Sequence, residues 1–393
     1  MQLAILNIED KCTGCGACVN ICPRKCLKLK ADKEGFYYPE YDESQCINCG
    51  LCEKACKEVT PIEGLPTNRE YIYVYHVRDE VVREKSTSGG AFTSFANMVL
   101  KNGGVVYATR YNGENRRVEV SSTDVNTLGS FRKSKYVESY VGDALSGIRD
   151  NLRKGRQVLF CGTPCQVAGL KAYLKTANVD TEKLITLDFV CHGVPSMKCL
   201  DAFLRFEEKR GKRQVVDVDF RYKDFSKKKH GWHNMNYCEY FNDGSKKVLG
   251  SRSLHYYYYY YPFLENRILR KSCYSCNQIL HSCADVSIGD FWGIRKYKAI
   301  KDDNKGLSFL VFNNRTMENV WLKEVGDDFV EKIPFYPNEK QYTETHREHQ
   351  RPARDAFYRM IEKQGYIKAV QRTYLPRYFS DWAKRIFSKN VKR

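Results

Sequence analysis

The chain has 393 residues, a net charge of +18 and 42% hydrophobic residues, enough for a sizeable core divided over two or three domains. No run of eighteen apolar residues occurs, which excludes a membrane-spanning helix. The start Met1-Gln2-Leu3-Ala4-Ile5-Leu6, followed by Glu9 and Asp10, lacks the basic region of a signal peptide. Seventeen cysteines in a chain of this kind point to a reducing cytoplasm and to metal ligation, not disulfides. The basic residues are spread along the chain, with no helix-turn-helix, zinc-finger or RNA-binding signature, which argues against nucleic acid. They suit acidic electron carriers, phosphate-bearing cofactors or anionic lipid surfaces, beside the plain reading of a solvated basic surface.

Cys12, Cys15, Cys18 and Cys22 form a Cys-x-x-Cys-x-x-Cys-x-x-x-Cys run closed by Pro23. Cys46, Cys49, Cys52 and Cys56 repeat it, with Lys57 at the proline position. Such a run offers three thiolates to one [4Fe–4S] cube and directs its fourth to the other. The spacing therefore assigns Cys12, Cys15, Cys18 and Cys56 to one cube, and Cys46, Cys49, Cys52 and Cys22 to a second. Gly14, Gly16 and Gly50 fit loops that wind closely around inorganic sulfide. Two zinc sites are the competing reading, but zinc usually takes two-cysteine knuckles. This part of the chain resembles a bacterial-type two-cluster ferredoxin.

Residues 60–66 read as a linker, and residues 71–77 as a strand rich in β-branched and aromatic side chains. The stretch Ser86-Thr87-Ser88-Gly89-Gly90 then opens a helical pattern through Phe95, Met98, Val99 and Leu100. Unpaired amides and the helix dipole at such a place attract an anion; an ordinary N-cap explains the same residues. A strand is expected over 103–108, a loop at Ser134-Lys135-Tyr136, and a helix over 141–152. The apolar run 157–162 reads as a buried parallel strand, followed by Thr163-Pro164-Cys165-Gln166 and a helix. Residues 184–190 repeat the design and end in Cys191-His192-Gly193. Alternating strands and helices imply a mostly parallel sheet, with Cys165 and Cys191 beyond the carboxyl ends of its strands, where ligands collect.

Strands are also expected over 216–222 and 236–241, around a loop with Lys227, Lys228 and Lys229. The six tyrosines 256–261 read as part of a packed aromatic element. Cys273-Tyr274-Ser275-Cys276 alone suits a redox dithiol or half a zinc knuckle equally. With Cys165 and Cys191 it completes four thiolates, enough for a third cube. Cys26, Cys161, Cys199 and Cys238 lack partner spacing and read as small buried hydrophobes. A last strand is expected over 307–312. The charged tail sets Trp382, Ile386 and Phe387 among Lys384, Arg385, Lys389, Lys392 and Arg393, which suits either a solvated helix or a peripheral membrane helix.

From about Ile72 onward the chain resembles the beta-subunit family of deazaflavin (coenzyme F-420) hydrogenases and dehydrogenases. The motifs are Ser88-Gly89-Gly90, Ser134-Lys135-Tyr136, Gly162-Thr163-Pro164-Cys165-Gln166, Cys191-His192-Gly193, Cys273-Tyr274-Ser275-Cys276 and Ala284-Asp285-Val286-Ser287-Ile288-Gly289-Asp290, spread over roughly two hundred residues in the family's order. The resemblance implies FAD and a third [4Fe–4S] cluster on Cys165, Cys191, Cys273 and Cys276. Cys283 competes with Cys165 or Cys191 for the fourth place; Cys191 is preferred because it closes a strand as Cys165 does. The resemblance also implies that Ser86, Thr87, Ser88, Gly89, Gly90, Ser134, Lys135 and Tyr136 hold the flavin phosphates and ribityl chain. His192, beside a ligand position, is either a proton relay or a structural ring. The fused ferredoxin and Gly289-Asp290-Phe291-Trp292-Gly293 resemble the bacterial branch, whose members occur in surface-polysaccharide settings.

The expected fold is thus α/β and α+β. It has a two-cluster ferredoxin domain over 1–60, a mostly parallel α/β flavin and iron–sulfur domain over 61–345, and a basic helical tail over 346–393. The expected activity is an FAD- and iron–sulfur-dependent oxidoreductase passing electrons between a ferredoxin or other redox protein and a small-molecule two-electron substrate. The alternative is a non-catalytic electron-transfer subunit of a redox or polysaccharide-biosynthesis complex.

Overall fold

Two short helices, α1 (Ala17–Ile21) and α2 (Leu51–Lys54), each begin at a glycine in the left-handed region, Gly16 and Gly50. A side chain there would be strained, so these glycines let each cysteine loop turn directly into helix. Between them β1 (Leu27–Ala31) and β2 (Tyr37–Tyr41) pair antiparallel, Leu27 facing Tyr41. This is the ferredoxin unit. The computed structural model describes residues 3–62, 71–225, 231–234, 236–250, 253–277, 282–294, 297, 299–334 and 347–390. Most of the expected linker at 60–66, the run Lys227-Lys228-Lys229, and the terminal Lys392 and Arg393 lie outside the described residues, as do the side chains of Trp382 and residues 384–390.

The main domain runs β3 (Ile72–His76), α3 (Glu80–Glu84), α4 (Ala91–Leu100), β4 (Val105–Asn112), β5 (Arg117–Thr123), β6 (Ser139–Tyr140), α5 (Ala144–Arg153), β7 (Val158–Gly162), α6 (Pro164–Thr176), β8 (Leu184–Phe189) and α7 (Met197–Gly211). It continues with β9 (Val215–Asp219), β10 (Tyr237–Phe241), β11 (Lys246–Leu249), α8 (Leu254–Leu264), β12 (Val286–Asp290), β13 (Ser308–Phe312), α9 (Arg315–Glu324), β14 (Phe329–Ile333), α10 (Arg351–Gln364) and α11 (Tyr366–Asn390).

Nine strands form one sheet in the order β14-β3-β13-β12-β8-β7-β4-β5-β6. The expected parallel character holds at the centre, where β12, β8, β7 and β4 run parallel. The flanks bring in antiparallel pairs: β14, β3, β13 and β12 on one side, and β4 with β5 on the other, where β6 then joins β5 in parallel. The sheet is therefore mixed, because a short turn after Asn112 returns the chain as a hairpin, which needs no crossover helix. The strands β7 and β8 are buried along nearly their whole length, as their unbroken apolar runs dictate. A smaller sheet, β11-β10-β9, carries an aromatic core.

Six tyrosines would favour a strand by propensity, yet residues 256–261 form the middle of α8. Helical spacing stacks Tyr256 on Tyr260 (4.6 Å between rings) and Tyr257 on Tyr261 (4.0 Å). Packing on α7, β10 and the C-terminal helices buries five of the six, so tertiary context decides. The first half of α11 belongs to this core through Tyr366, Ala369, Val370 and Tyr374; the C-terminal segment is helical, as expected, but its beginning is built into the domain. Among the described residues no helix is long and apolar enough to cross a membrane.

Candidate functional site

The last cysteine of each run crosses over. One cavity is lined by Cys12, Cys15, Cys18 and Cys56, and another by Cys22, Cys46, Cys49 and Cys52. The thiols ring a space instead of converging on a point: among the described residues no three Cys, His, Asp or Glu side chains meet as a single metal ion requires. The arrangement fits cubes better than zinc. Cys26, expected to be a mere small hydrophobe, is buried but lines the second cavity, with its Sγ 3.3 Å from Cys22 Sγ.

In the main domain, Cys165 sits in the first turn of α6. A capping box places that turn: Thr163 accepts from the Gln166 amide while the Gln166 side chain accepts from Thr163, and Pro164 occupies the first turn. Cys191 follows β8, and Cys273 lies in the 3-10 turn Lys271–Tyr274. The two loops are laced together by a Pro195–Leu269 bridge and by the Arg270 amide donating to Val194 (3.0 Å). Burial first, then Cys273, Cys165 and Cys276, push the Cys191 thiol well above its ordinary range. Burial, followed by Cys276 and Cys165, does the same to Cys273, up to about 12. Cys283 lies elsewhere: buried, it is influenced by Lys171, Asp188 and Lys57, not by the four.

The ferredoxin unit is seated against these loops. Arg270, almost fully buried, donates to Cys12 O (2.7 Å), Tyr37 O (2.9 Å) and Cys12 Sγ (3.7 Å), and pairs with buried Glu138. Its own carbonyl accepts from the Cys273 amide (3.0 Å). Asn20 donates to Gly142 O (2.8 Å) and accepts from the Ser146 amide (3.1 Å). Arg354, fully buried in α10, pairs with Glu34 of the ferredoxin hairpin turn.

The two loops expected at the flavin meet. The Ser134 amide donates to Thr87 Oγ1 (2.9 Å). Within the first loop, Ser86 donates to Val82 O (2.7 Å), Ser88 shares a hydrogen bond with Ser308 (2.9 Å), and Lys223 binds Ser88 O (2.8 Å). A β-carbon at Gly89 would run into the Tyr75 carbonyl, so only glycine fits. Gly90 caps α4 with no side-chain bond; the Thr93 amide donates to Gly90 O (3.0 Å), and the Ala91 and Phe92 amides at the start of the turn face a place suited to an anion. Arg132 reaches the same turn, its Nε donating to Thr93 Oγ1 (3.1 Å). The donor set fits a flavin phosphate. Lys135 instead turns its ammonium under the Ser130 and Lys133 carbonyls (3.3 and 3.2 Å), and burial brings its pKa down to about 8. Tyr136 stacks on Phe263 (5.1 Å) and accepts from Arg221 (3.1 Å).

His192 is packed edge-on against Phe263 (4.9 Å), and Arg347 binds its carbonyl. Burial, then Arg347, lower its pKa to about 4, so the ring is neutral. Sequence reasoning missed Arg132, Arg221, Arg270 and Glu138, since a lone charged residue in a loop carries no spacing signal. Lys57 had one: it stands where its sister run has proline.

Residues 155–335 match the family described as the C-terminal part of the coenzyme F420 hydrogenase/dehydrogenase beta subunit, and residues 11–58 match the 4Fe-4S dicluster domain. Over 56 residues the chain is 39% identical to an uncharacterised ferredoxin of Methanocaldococcus jannaschii, covering 14% of this chain and 71% of that one. Over 55 residues it is 38% identical to a ketoisovalerate oxidoreductase subunit of Methanothermobacter marburgensis, covering 14% and 70%. A chain of the F420-reducing [NiFe] hydrogenase complex from Methanosarcina barkeri superposes with a TM-score of 0.49 at 15% identity, over 73% of this chain and 92% of that one. The chain is an iron–sulfur electron-transfer protein, related over residues 155–335 to the coenzyme F420 hydrogenase/dehydrogenase beta subunits, with a 4Fe-4S dicluster domain at residues 11–58.

Proposed function

We propose that the chain is an FAD- and iron–sulfur-dependent oxidoreductase, exchanging electrons between a one-electron redox protein and a small-molecule two-electron substrate. The observation that carries this reading is the convergence of Cys165, Cys191, Cys273 and Cys276 beside the ferredoxin unit. These four residues would hold a third [4Fe–4S] cluster, and the α4 N-terminus with Thr87, Ser134 and Arg132 would hold the flavin. When bound, the cubes supply single-electron exchange, and the flavin exchanges electrons singly or in pairs, which joins the two modes of chemistry.

The chain's own residues do the rest. Exposed Cys49 presents the second thiol ring to a partner, while Cys15 lies against α6. Arg270 fixes the Cys12 loop to the Cys273 loop, so the two sets of thiolates keep a constant separation. Thr87 and Ser134 hold the two flavin loops together. Nothing in this arrangement prescribes the direction of flow.

A second reading is an electron-transfer subunit that serves a separate catalytic chain; the family matched by residues 155–335 is described as a beta subunit. Anaerobic purification with iron, sulfide and flavin quantified together tests the first reading. About twelve irons and one FAD per chain are expected for three cubes of four. About eight irons without flavin would overturn it. Turnover of a two-electron acceptor by the isolated chain, with reduced ferredoxin as donor, separates the enzyme from the subunit.

A further inference from the structure

Lys57 follows Cys56 directly and lines the first thiol cavity. It is 7% exposed, and its ammonium pairs with Glu58. A buried ammonium is costly unless something negative accompanies it, and one carboxylate is a sparse escort. The cavity it lines is bounded by Cys12, Cys15, Cys18 and Cys56, and Cys15 packs on α6 at Gly169. Arg270 is a second cation at this ring: Nη2 donates to Cys12 Sγ at 3.7 Å, and its carbonyl accepts from the Cys273 amide at 3.0 Å.

We propose that Lys57, together with Arg270, sets the reduction potential of the first cube. The place of that cube in a route to a two-electron substrate rests on the proposed function above. The event these cations favour is gain of one electron from a reduced one-electron carrier, with no bond made or broken and no proton taken up. Each electron adds one negative charge, and a cation held in a poorly polarisable interior stabilises that charge far more than it would in water. Cluster potentials respond to charge and to hydrogen bonds on sulfur. A lysine at the proline position thus carries a function that its sister run, closed by Pro23, does not.

The test is an EPR-monitored potentiometric titration of the full chain, purified anaerobically. Lys57→Met should weaken reduction of the first cube at least tenfold, 59 mV for a one-electron centre, and leave the second cube unmoved. Glu58→Gln should shift the first cube the opposite way, and Lys57→Arg should restore the native value. Equal shifts in both cubes, or none, would overturn the proposal. If Lys57→Met loses iron, Glu58→Gln decides, since it retains the lysine. A native protein with eight irons removes the third cluster alone; the first cube's response is still read, so the two failures are distinguishable.

Discussion

The Cys15 Sγ lies 2.6 Å from the point where a β-carbon on Gly169 would stand. Gly169 is one helical turn after Cys165 on α6, so the two positions share a face. A ligand of the first cube is thus seated within one turn of a thiol of the main-domain group. The glycine is the space that permits it.

Gly169→Ala should therefore destabilise the protein. In an open helix this change gains roughly 1 kcal/mol from propensity, but overpacking a filled site costs about 1–3 kcal/mol. Cys15 cannot retreat without leaving its ring, so the steric cost should win. Anaerobic urea unfolding and iron content measure both effects; a variant more stable than the native chain, with full iron, would show that α6 yields instead.

Cys165, Cys191, Cys273 and Cys276 should respond alike to serine substitution. Each change is expected to remove about four irons per chain, because a cube deprived of one thiolate is readily lost. Cys283→Ser should retain the native count, since its surroundings are Lys171, Asp188 and Lys57. Iron and sulfide analysis reads the difference, and loss of iron in Cys283→Ser would reassign the fourth ligand.

The spacing of the two cysteine runs was enough to write down both thiol rings, because a cube demands short intervals along one chain. The third group was legible only as strand-end cysteines plus a Cys-x-x-Cys, since its members come from three loops far apart in sequence. Period and run length located β7 and β8, but not the antiparallel flanks, which depend on where turns send the chain. The α8 tyrosines were readable as packed but not as helical: their burial against α7 and α11 comes from outside the segment. Arg270 and Glu138 left no trace in the pattern, because a buried ion pair between distant loops has no local signature.

Flavin retention should depend on Arg132. Its guanidinium stands at the first turn of α4, where a phosphate would meet open amides. A hydrogen bond to a charged group is worth roughly 1.5–3 kcal/mol, so Arg132→Gln should weaken FAD binding about tenfold or more. Thr87→Val, which breaks the 2.9 Å bond to Ser134, should act in the same direction. Equilibrium dialysis against FAD measures both, and native affinity in the two variants would place the flavin elsewhere.

Glu239 gives a pH prediction. It is fully buried, neither carboxyl oxygen has a hydrogen-bond partner among the described residues, and burial followed by Glu207 raises its pKa from 4.5 to about 8. A carboxyl raised on folding favours the folded state below its unfolded pKa, and that advantage is lost as pH rises through the folded value. Stability from this group should fall between about pH 4.5 and 8, by an order of a few kcal/mol. Glu239→Gln keeps the shape and removes the proton dependence. Relative to the native chain it should gain stability at pH 8.5 compared with pH 6, followed by urea unfolding; an unchanged difference would mean that Glu239 is ionised at both.

Electron exchange with an external carrier should pass through the second thiol ring and depend on its basic edge. Cys49 is exposed, Ile47 beside it is 59% exposed, and a side chain at Gly50 would meet nothing within 4 Å. In the first ring Cys15 is packed against α6 at Gly169 instead. Next to the second ring stand Arg24, Lys25 and Lys28, all exposed. An acidic carrier would be drawn to this corner, and steering of that kind changes association rates by about 10-fold or more and fades as salt shortens the Debye length. Arg24→Glu combined with Lys25→Glu should therefore slow reduction by an acidic ferredoxin about tenfold at low salt. The gap should close toward 1 M salt, where screening reaches about 3 Å. Reduction by dithionite, which needs no docking, should be unaffected. Stopped-flow absorbance with both reductants makes the comparison, and equal slowing with dithionite would trace the effect to the cluster instead of the surface.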